Sequence, residues 1–331
     1  MSTTGRQTRH DLAGARRYWL IWVAVVPVAL WALVRLLGLD RGFPLVPLMA
    51  FTPYAAIAAL LIGGVAMALR NWAAAAVAAL LTLSLAAVVL PRAVGDGTVE
   101  AGGRETITVL SANVHHGTGE AEALVELVDR HRPDLLAIQE LTPSFARELR
   151  RAGLGRRLPN AVLETRRNAS GAGLYSQLPM RKVAGSQVFA FRQPRAVLRL
   201  PGTGRVRVVD VHPYPPGRGN VGIWSEALES LPSAGRGAPW VLIGDFNATL
   251  DHSQLRDLLG RGYRDAGEVA GKGLEPTWPT GAWASRLPAV TIDHVLADRR
   301  FGIVDYGVEE LPGSDHRPVW AELALPTASP E

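Results

Sequence analysis

The chain has 331 residues, 48% of them hydrophobic, and a formal net charge of +5 at pH 7. All of the excess charge lies in residues 1–91, which hold seven Arg against Asp11 and Asp40, whereas the rest of the chain holds 28 Lys or Arg and 28 Asp or Glu. This neutral second part lacks the basic field that provides most non-specific affinity for DNA. The absence of cysteine excludes disulfides, thiolate metal sites and a cysteine nucleophile.

Three long apolar runs follow a basic leader at residues 1–17. They cover 18–37, 44–69 and 72–90, and each is close to or above the roughly 20 residues that a membrane-spanning helix needs. We therefore predict three transmembrane helices. A cleavable signal peptide is the alternative for the first run, but that run exceeds the roughly 7 to 15 residues of a signal core, and two more runs follow it.

The charges of the leader predict the orientation in the membrane. Arg6, Arg9, Arg16 and Arg17 favour a cytoplasmic amino terminus. Three crossings then place residue 92 onward on the extracytoplasmic side of the cell membrane.

The remaining residues have the pattern of one α/β domain. Residues 92–105 are rich in glycine and polar side chains, which predicts a linker, and we expect the domain at 106–325 and a short tail at 326–331. The domain opens with a strand, a helix and a strand at 106–114, 121–130 and 135–141. Later strands are predicted at 195–200, 205–212, 240–245, 290–296 and 319–325, with helices at 221–231 and 253–259.

Polar residues stand where these predicted strands end, which is where α/β folds place their sites. They are Asn113, Glu140, His212, Asp245 with Asn247, and Asp293, and the pair Asp315 and His316 precedes the last strand. Each residue alone has a structural explanation, because Asn and Asp commonly close strands and start turns. The ordered set indicates a functional site.

The motifs around these residues resemble, in the same order, those of the endonuclease/exonuclease/phosphatase superfamily, which includes DNase I. They are Leu110-Ser111-Ala112-Asn113, Gln139-Glu140, Val209-Asp210-Val211-His212, Gly244-Asp245-Phe246-Asn247, Ile292-Asp293-His294 and Ser314-Asp315-His316. The resemblance implies a DNase I-like, four-layered α/β sandwich with two packed mixed β-sheets. It also implies a metal-dependent phosphoester hydrolase.

The resemblance assigns a metal site that holds Mg²⁺, with Mn²⁺ as the alternative ion. Its ligands would be Glu140, Asn113 and Asp315. Arg195 stands where relatives often have an Arg beside the phosphate. Ser170 to Ser176 resembles the glycine-containing entry to a strand in the family.

The resemblance also assigns the catalytic groups. Asp245 would deprotonate or align the attacking water, and Asn247 would hold that water or a phosphate oxygen. His316, oriented by Asp293, would contact the scissile phosphate. His212 would stabilise charge on the opposite side of the phosphate or protonate the leaving group.

One position departs from the family pattern. Some relatives carry an Asp two residues after the strand Asn, whereas this chain has His115, followed by His116. A zinc ion shared by the two histidines is disfavoured, because neighbouring side chains on an extended strand point to opposite faces. We therefore expect ordinary loop histidines.

Three functions remain open. The neutral domain and the bilayer as a partner favour hydrolysis of a lipid-linked phosphate or pyrophosphate of the cell envelope, and no protein partner is inferred. The architecture also resembles VanJ-type membrane proteins associated with teicoplanin resistance, which implies a role in glycopeptide resistance. An anchored extracellular nuclease is the second hypothesis, because seven Arg lie between Arg147 and Arg167 against Glu148 and Glu164. A catalytically silent binding module is the third.

Overall fold

The computed structural model describes residues 4–184, 191–201, 204–281, 284 and 286–326, with side chains from Trp19 onward. The predicted tail lies outside these residues apart from Pro326. Two compact units are present, one formed by Met1–Arg41 with Phe51–Leu90 and the other by Gly42–Ala50 with Pro91–Glu331.

The described elements are as follows in chain order. The helices are α1 Thr4–Leu37, α2 Leu45–Met49, α3 Thr52–Ala68, α4 Trp72–Val89, α5 Pro91–Val94, α6 Ala121–His131, α7 Pro143–Arg151, α8 Leu154–Arg157, α9 Val221–Glu229, α10 Ser253–Gly260 and α11 Ala266–Val269. The strands are β1 Thr106–Asn113, β2 Leu135–Gln139, β3 Asn160–Glu164, β4 Ala172–Ser176, β5 Met180–Val183, β6 Arg195–Arg199, β7 Arg205–Val211, β8 Trp240–Asp245, β9 Tyr263–Asp265, β10 Asp293–Asp298, β11 Gly302–Val308 and β12 Val319–Ala324.

The first unit consists of the apolar helices α1, α3 and α4. Small residues let these helices approach closely, and Ala66, Ala74 and Ala75 form a cluster with Ile21 and Val25. The segments Trp19–Leu37 and Trp72–Val89 are long and apolar enough to cross a membrane. Only 28% and 22%, respectively, of an 18-residue apolar stretch in each segment is buried. Most of their apolar surface therefore lacks a protein partner within the described chain.

The predicted second span, residues 44–69, is not one continuous helix. It divides into α2 and α3, and α3 has 17 residues with a proline in its first turn. Proline is tolerated there because the first helical N–H groups have no partner within the helix. The preceding α2 belongs to the second unit, where Val46 is fully buried in the same apolar cluster as Val209 and Trp224.

The second unit contains two six-stranded mixed sheets. The first has the order β11-β12-β1-β2-β4-β3, and the second has the order β5-β6-β7-β8-β10-β9. Adjacent strands are parallel at β1 with β2 and at β7 with β8. One apolar cluster draws side chains from both sheets and so lies between them, while α6, α7 and α8 cover the first sheet and α9 and α10 cover the second.

Side chains alternate between the inner and outer faces of these sheets, as strand geometry requires. In β1, Ile107 and Val109 belong to the cluster between the sheets, whereas Leu110 and Ala112 belong to the helix-covered cluster. Continuing the inner series brings Ser111 and then Asn113 to the end of the space between the sheets. The strand pattern therefore carries polar side chains to one end of an otherwise apolar core.

The beginning of the predicted linker, residues 92–105, packs onto the second unit. Arg92 in α5 is 4% exposed, and its two terminal nitrogens each lie 2.8 Å from an oxygen of Asp251, which is fully buried. Further along, the backbone N–H of Val99 donates to the carbonyl of Ile303 at 2.8 Å. A buried two-point ion pair thus fixes the chain where it enters this unit.

We expect Asp251→Ala to lower the free energy of unfolding by about 3 to 5 kcal/mol, because it leaves the Arg92 guanidinium buried without its carboxylate. Chemical denaturation of the full chain in detergent would measure this loss. The matched control is Glu310→Ala, which removes a more exposed pair with Arg317 and should cost less than about 1 kcal/mol. Equal effects of the two substitutions would contradict this interpretation.

Candidate active site

The predicted site residues converge at one end of the sandwich. Parallel pairing sets Asn113 opposite Gln139, so β1 and β2 end together. In the second sheet, β10 runs antiparallel to β8, and its first residue, Asp293, pairs with the last residue of β8, Asp245. The ends of both sheets therefore deliver polar side chains to the same rim of the inner space.

A buried chain of charged groups connects Asp293, His316 and Asp245. His316 Nδ1 lies 2.9 Å from Asp293 Oδ2, and His316 Nε2 lies 3.7 Å from Asp245 Oδ2. Asp293 and Asp245 are each 2% exposed. Two carboxylates at this depth require a compensating positive charge, which the imidazole between them supplies.

The electrostatics of this chain favour a protonated His316. Burial opposes its charge, but the carboxylates of Asp293 and Asp245 outweigh burial and raise the pKa of His316 to about 10. Burial raises the pKa of Asp245 to about 7, against the opposing effect of the His316 cation. The site thus pairs an imidazolium with a carboxyl group that titrates near neutral pH.

Asn113 and Asn247 hold the oxygens of Asp245 in place. The backbone N–H of Asn247 donates to Asp245 Oδ1 at 2.8 Å, and Asn113 Nδ2 donates to Asp245 Oδ2 at 3.1 Å. Asn113 Nδ2 also lies 3.4 Å from Glu140 Oε1, while its own oxygen accepts from the N–H of His115 at 3.0 Å. Asn113 thus lies in contact with both carboxylates, and its role as a metal ligand stays a prediction.

His212 lies beside the carboxylates of Glu140 and Asp245, but its ring is neutral whereas that of His316 is charged. Its Nε2 is 3.9 Å from Glu140 Oε1 and 3.7 Å from Asp245 Oδ2. Burial, together with the charges of His316 and His116, lowers the pKa of His212 to about 3. Phe191 packs edge-on against the ring at 4.9 Å. A neutral ring fits hydrogen bonding to an oxygen better than the expected protonation of a leaving group.

The loop before β12 brings Asp315 to the rim. Ser314 Oγ donates to the carbonyl of Asn113 at 2.7 Å, which ties this loop to the end of β1. Asp315 Oδ2 accepts from Trp278 Nε1 at 3.3 Å, and Asp315 Oδ1 lies 2.8 Å from His115 Nδ1. The carboxylate therefore stands between the loop and the histidine pair.

The expectation that His115 and His116 point to opposite faces is wrong. Both residues have positive φ angles, 44° and 56°, so the chain leaves the strand in a left-handed turn at this point. Their rings lie 5.2 Å apart, and both offer a nitrogen near the carboxylate of Glu140. The rule for extended strands does not apply after Val114.

Arg195 is not brought to this group. Its register partner Val209 belongs to the helix-covered outer cluster, and cross-strand partners face the same side of a sheet. Among the described residues, Arg195 forms no hydrogen bond or ion pair with the site, and burial lowers its pKa. The Ser170 to Ser176 segment consists of β4, a strand of the first sheet, and the two residues that precede it.

A polar network with no role predicted from the sequence joins the two sheets directly under the site. Gln139 Nε2 in the first sheet donates to Asp210 Oδ1 in the second at 2.7 Å, and Ser111 Oγ donates to Gln139 Oε1 at 3.2 Å. Burial raises the pKa of Asp210 well above its usual range. The sequence signal for Asp210 is an Asp that follows the two inward valines of β7, Val206 and Val208.

Gly244 is the position where the backbone most needs glycine. Its φ is +145°, and a Cβ there would lie 2.1 Å from the carbonyl oxygen of Val211. The close approach of β7 and β8 at this point places His212 and Asp245 side by side. A larger residue would separate the two strands directly beneath the site.

A sequence model of the Endonuclease/Exonuclease/phosphatase family matches residues 110–316, more than half of the chain. The chain belongs to this family. A comparison with curated proteins gives no significant match.

Three solved structures illustrate the shared fold. A humanised TDP2 of D. rerio aligns with a TM-score of 0.53 at 15% identity, covering 66% of this chain and 98% of that one. A family protein from Bacteroides thetaiotaomicron aligns at 0.50 and 17%, covering 68% and 99%. The 3′ phosphatase NExo from Neisseria, bound to a product DNA hairpin, aligns at 0.50 and 19%, covering 65% and 98%. The predicted α/β sandwich with two mixed sheets is confirmed.

We expect His316 to remain protonated through neutral pH in metal-free protein, since its pKa is raised to about 10. Asp293→Asn removes a neighbouring negative charge that raises this value, so the ring should then titrate at lower pH. Nuclear magnetic resonance of protein carrying isotope-labelled histidine would follow the ring signal. Asp305→Asn, at an exposed carboxylate, is the control and should leave it unchanged. An unshifted His316 signal in the Asp293 variant would refute the assignment.

Proposed function

We propose that this chain is a membrane-anchored, metal-dependent phosphoester hydrolase. The observation that carries the proposal is the buried contact of His316 with Asp293 and Asp245, beside Glu140 and His212. A phosphoester repels nucleophiles through its own negative charge, so its hydrolysis requires positive charge at the phosphate and a group that takes a proton from water. The site offers both within one group of neighbouring side chains.

The residues at the rim fit a divalent cation. Carboxylates from Glu140, Asp245, Asp293 and Asp315 converge, while burial keeps His212 neutral and His316 supplies one imidazolium. Hard divalent cations prefer such oxygen donors. Glu140 and Asp315 are the residues that would hold the ion, with Mg²⁺ preferred and Mn²⁺ as the alternative. A bound cation supplies Lewis-acid stabilisation of phosphate charge and lowers the pKa of water.

The remaining groups have separate tasks in this proposal. Asp245 accepts the proton of the attacking water, which suits a carboxyl group whose pKa is raised to about 7. Asn247 lies next to this carboxylate and orients the water. The His316 cation, held by Asp293, binds a non-bridging oxygen of the phosphate. His212 donates a hydrogen bond on the opposite side as charge develops there.

The anchor is the second part of the proposal. The core helix of a water-soluble protein is mostly buried. In contrast, less than a third of the apolar 18-residue stretch within Trp19–Leu37, and within Trp72–Val89, is buried. We propose that both helices, with α3 between them, cross the membrane three times. The basic leader then lies in the cytoplasm and the hydrolase domain outside. Activity of a carboxyl-terminal reporter that works only in the cytoplasm would overturn this orientation.

A lipid-linked phosphate or pyrophosphate of the cell envelope is the substrate that this arrangement favours. The anchor keeps the site at a bilayer surface, where such substrates concentrate, and residues 92–331 carry no net charge to attract nucleic acid. This substrate class also agrees with a role in glycopeptide resistance.

A nuclease is the second candidate, and one observation favours it. Arg147, Arg150, Arg151, Arg156, Arg166 and Arg167 all have exposed side chains after the strand that leads to Glu140. Exposed arginines are the usual partners of a phosphate backbone. Among structures of the same fold, a D. rerio TDP2 is complexed with a single-strand DNA product.

One experiment separates these candidates. The full chain in detergent is offered undecaprenyl pyrophosphate and supercoiled plasmid DNA side by side, with Mg²⁺ or with a chelator. We expect Mg²⁺-dependent release of phosphate from the lipid and an intact plasmid. The full chain is needed because a fragment starting at residue 92 lacks Val46, which is buried in the domain core.

The variants in this assay test the assigned roles. Asp245→Asn and His316→Gln should each reduce the rate by about a hundredfold or more, because each removes a group that acts on the reacting atoms. Asp305→Asn, at an exposed carboxylate that pairs with Lys272, should leave it unchanged. Nicked plasmid with untouched lipid would reverse the order of the two candidates. No hydrolysis of either substrate with any divalent ion would leave a silent binding module.

A further inference from the structure

The turn after β1 holds two histidines in an unusual conformation. His115, His116 and Gly117 all have left-handed φ angles, 44°, 56° and 75°. Residues with a Cβ rarely adopt this region, and two in succession are rarer still. The turn is closely packed, since a Cβ on Gly117 would lie 2.5 Å from Thr142 Oγ1. Gly117 therefore leaves no room for a side chain at the end of the turn.

The consequence of this turn is that both imidazoles face Glu140. One nitrogen from each ring and one carboxylate oxygen of Glu140 lie within 4.8 Å of one another. His116 is also joined to Glu140 by its backbone N–H, which donates to Oε2 at 2.7 Å, and its Nε2 lies 3.5 Å from the same oxygen. Glu140 itself has a positive φ of 58°. Three residues with left-handed backbone conformations thus bring their possible metal-ligand atoms close together.

Asp315 lies beside the ring of His115. Its Oδ1 is 2.8 Å from His115 Nδ1, a close contact between a carboxylate and an imidazole that does not form a hydrogen bond. The carboxylate adds negative charge next to the two histidines, which favours a bound cation. The side chains of His115 and His116 are 35% and 53% exposed, which leaves room for an ion to enter and for further ligands such as water or a phosphate oxygen.

We propose that His115, His116 and Glu140 form a site for a transition-metal ion of the Zn²⁺, Co²⁺ or Mn²⁺ class. Two imidazole nitrogens and one carboxylate oxygen suit such ions, whereas Mg²⁺ prefers oxygen ligands and retained waters. The proposal deepens the proposed function, because Glu140 also belongs to the hydrolase site, and it predicts that the two histidines make this site bind a transition-metal ion more strongly than it binds Mg²⁺.

Cobalt binding tests this site without relying on catalysis. The full chain, purified in detergent without a polyhistidine tag and stripped of metal, is titrated with Co²⁺ while its visible absorption is recorded. We expect one tightly bound Co²⁺ with a nitrogen-ligand spectrum that millimolar Mg²⁺ does not abolish. The double variant His115→Gln with His116→Gln should bind this ion at least tenfold more weakly.

The matched control removes an imidazole elsewhere. His131 pairs with Glu309 at 2.8 Å and stacks on Trp320, so His131→Gln should leave the Co²⁺ spectrum and affinity unchanged. Circular dichroism checks that each variant is folded. If the folded double variant binds Co²⁺ with the affinity and spectrum of the original chain, the site is refuted.

Hydrolysis measured on the same samples separates this proposal from the proposed function. Histidine-dependent Co²⁺ binding supports the metal site even if no phosphoester is cleaved. Mg²⁺-supported hydrolysis without a histidine-dependent Co²⁺ spectrum refutes the metal site and leaves the hydrolase standing.

Discussion

The alternation of side chains along β1, β2, β7, β8 and β10 is the constraint on which the site depends. Each of these strands places apolar residues between the sheets and a polar residue at the rim, as in Val241, Ile243 and Asp245 of β8. In β2 and β7, the inward residue that follows the apolar ones is polar. These residues, Gln139 and Asp210, form a hydrogen bond between the two sheets. A shift of one residue in any strand would turn its polar side chain to the helix-covered face.

Burial makes the charges at this rim interdependent. Asp245 and Asp293 lie almost out of contact with water, and their cost is offset by His316 between them. Burial lowers the pKa of the neighbouring His212, and the same cation lowers it further. One imidazolium thus stabilises the carboxylates, and burial together with that charge keeps the second ring neutral. We infer that binding a divalent cation and a phosphate completes this balance, which links the stability of the site to its chemistry.

Strand ends and their polar residues could be predicted from the sequence, because the alternation of apolar residues and the turn-forming residues that end a strand are local properties. Asn113, Asp245 and Asp293 meet as those patterns indicated. The left-handed turn at His115 and His116 could not be predicted, since nothing in the local sequence requires a positive φ at these two residues. Hydropathy likewise could not distinguish Val46 in a protein core from the same residue in lipid. Motif spacing does not report which face of a strand a side chain occupies, so the outward placement of Arg195 could not be predicted.

The central claim is that water activated beside Asp245 attacks phosphorus at a metal-dependent site. Hydrolysis of a phosphoester by the full chain in water enriched in oxygen-18, followed by mass spectrometry of both products, tests this claim most directly. Our account predicts one heavy oxygen in the released phosphate and none in the alcohol, and no turnover after chelation. Heavy oxygen in the alcohol, or undiminished turnover in the chelator, would contradict it.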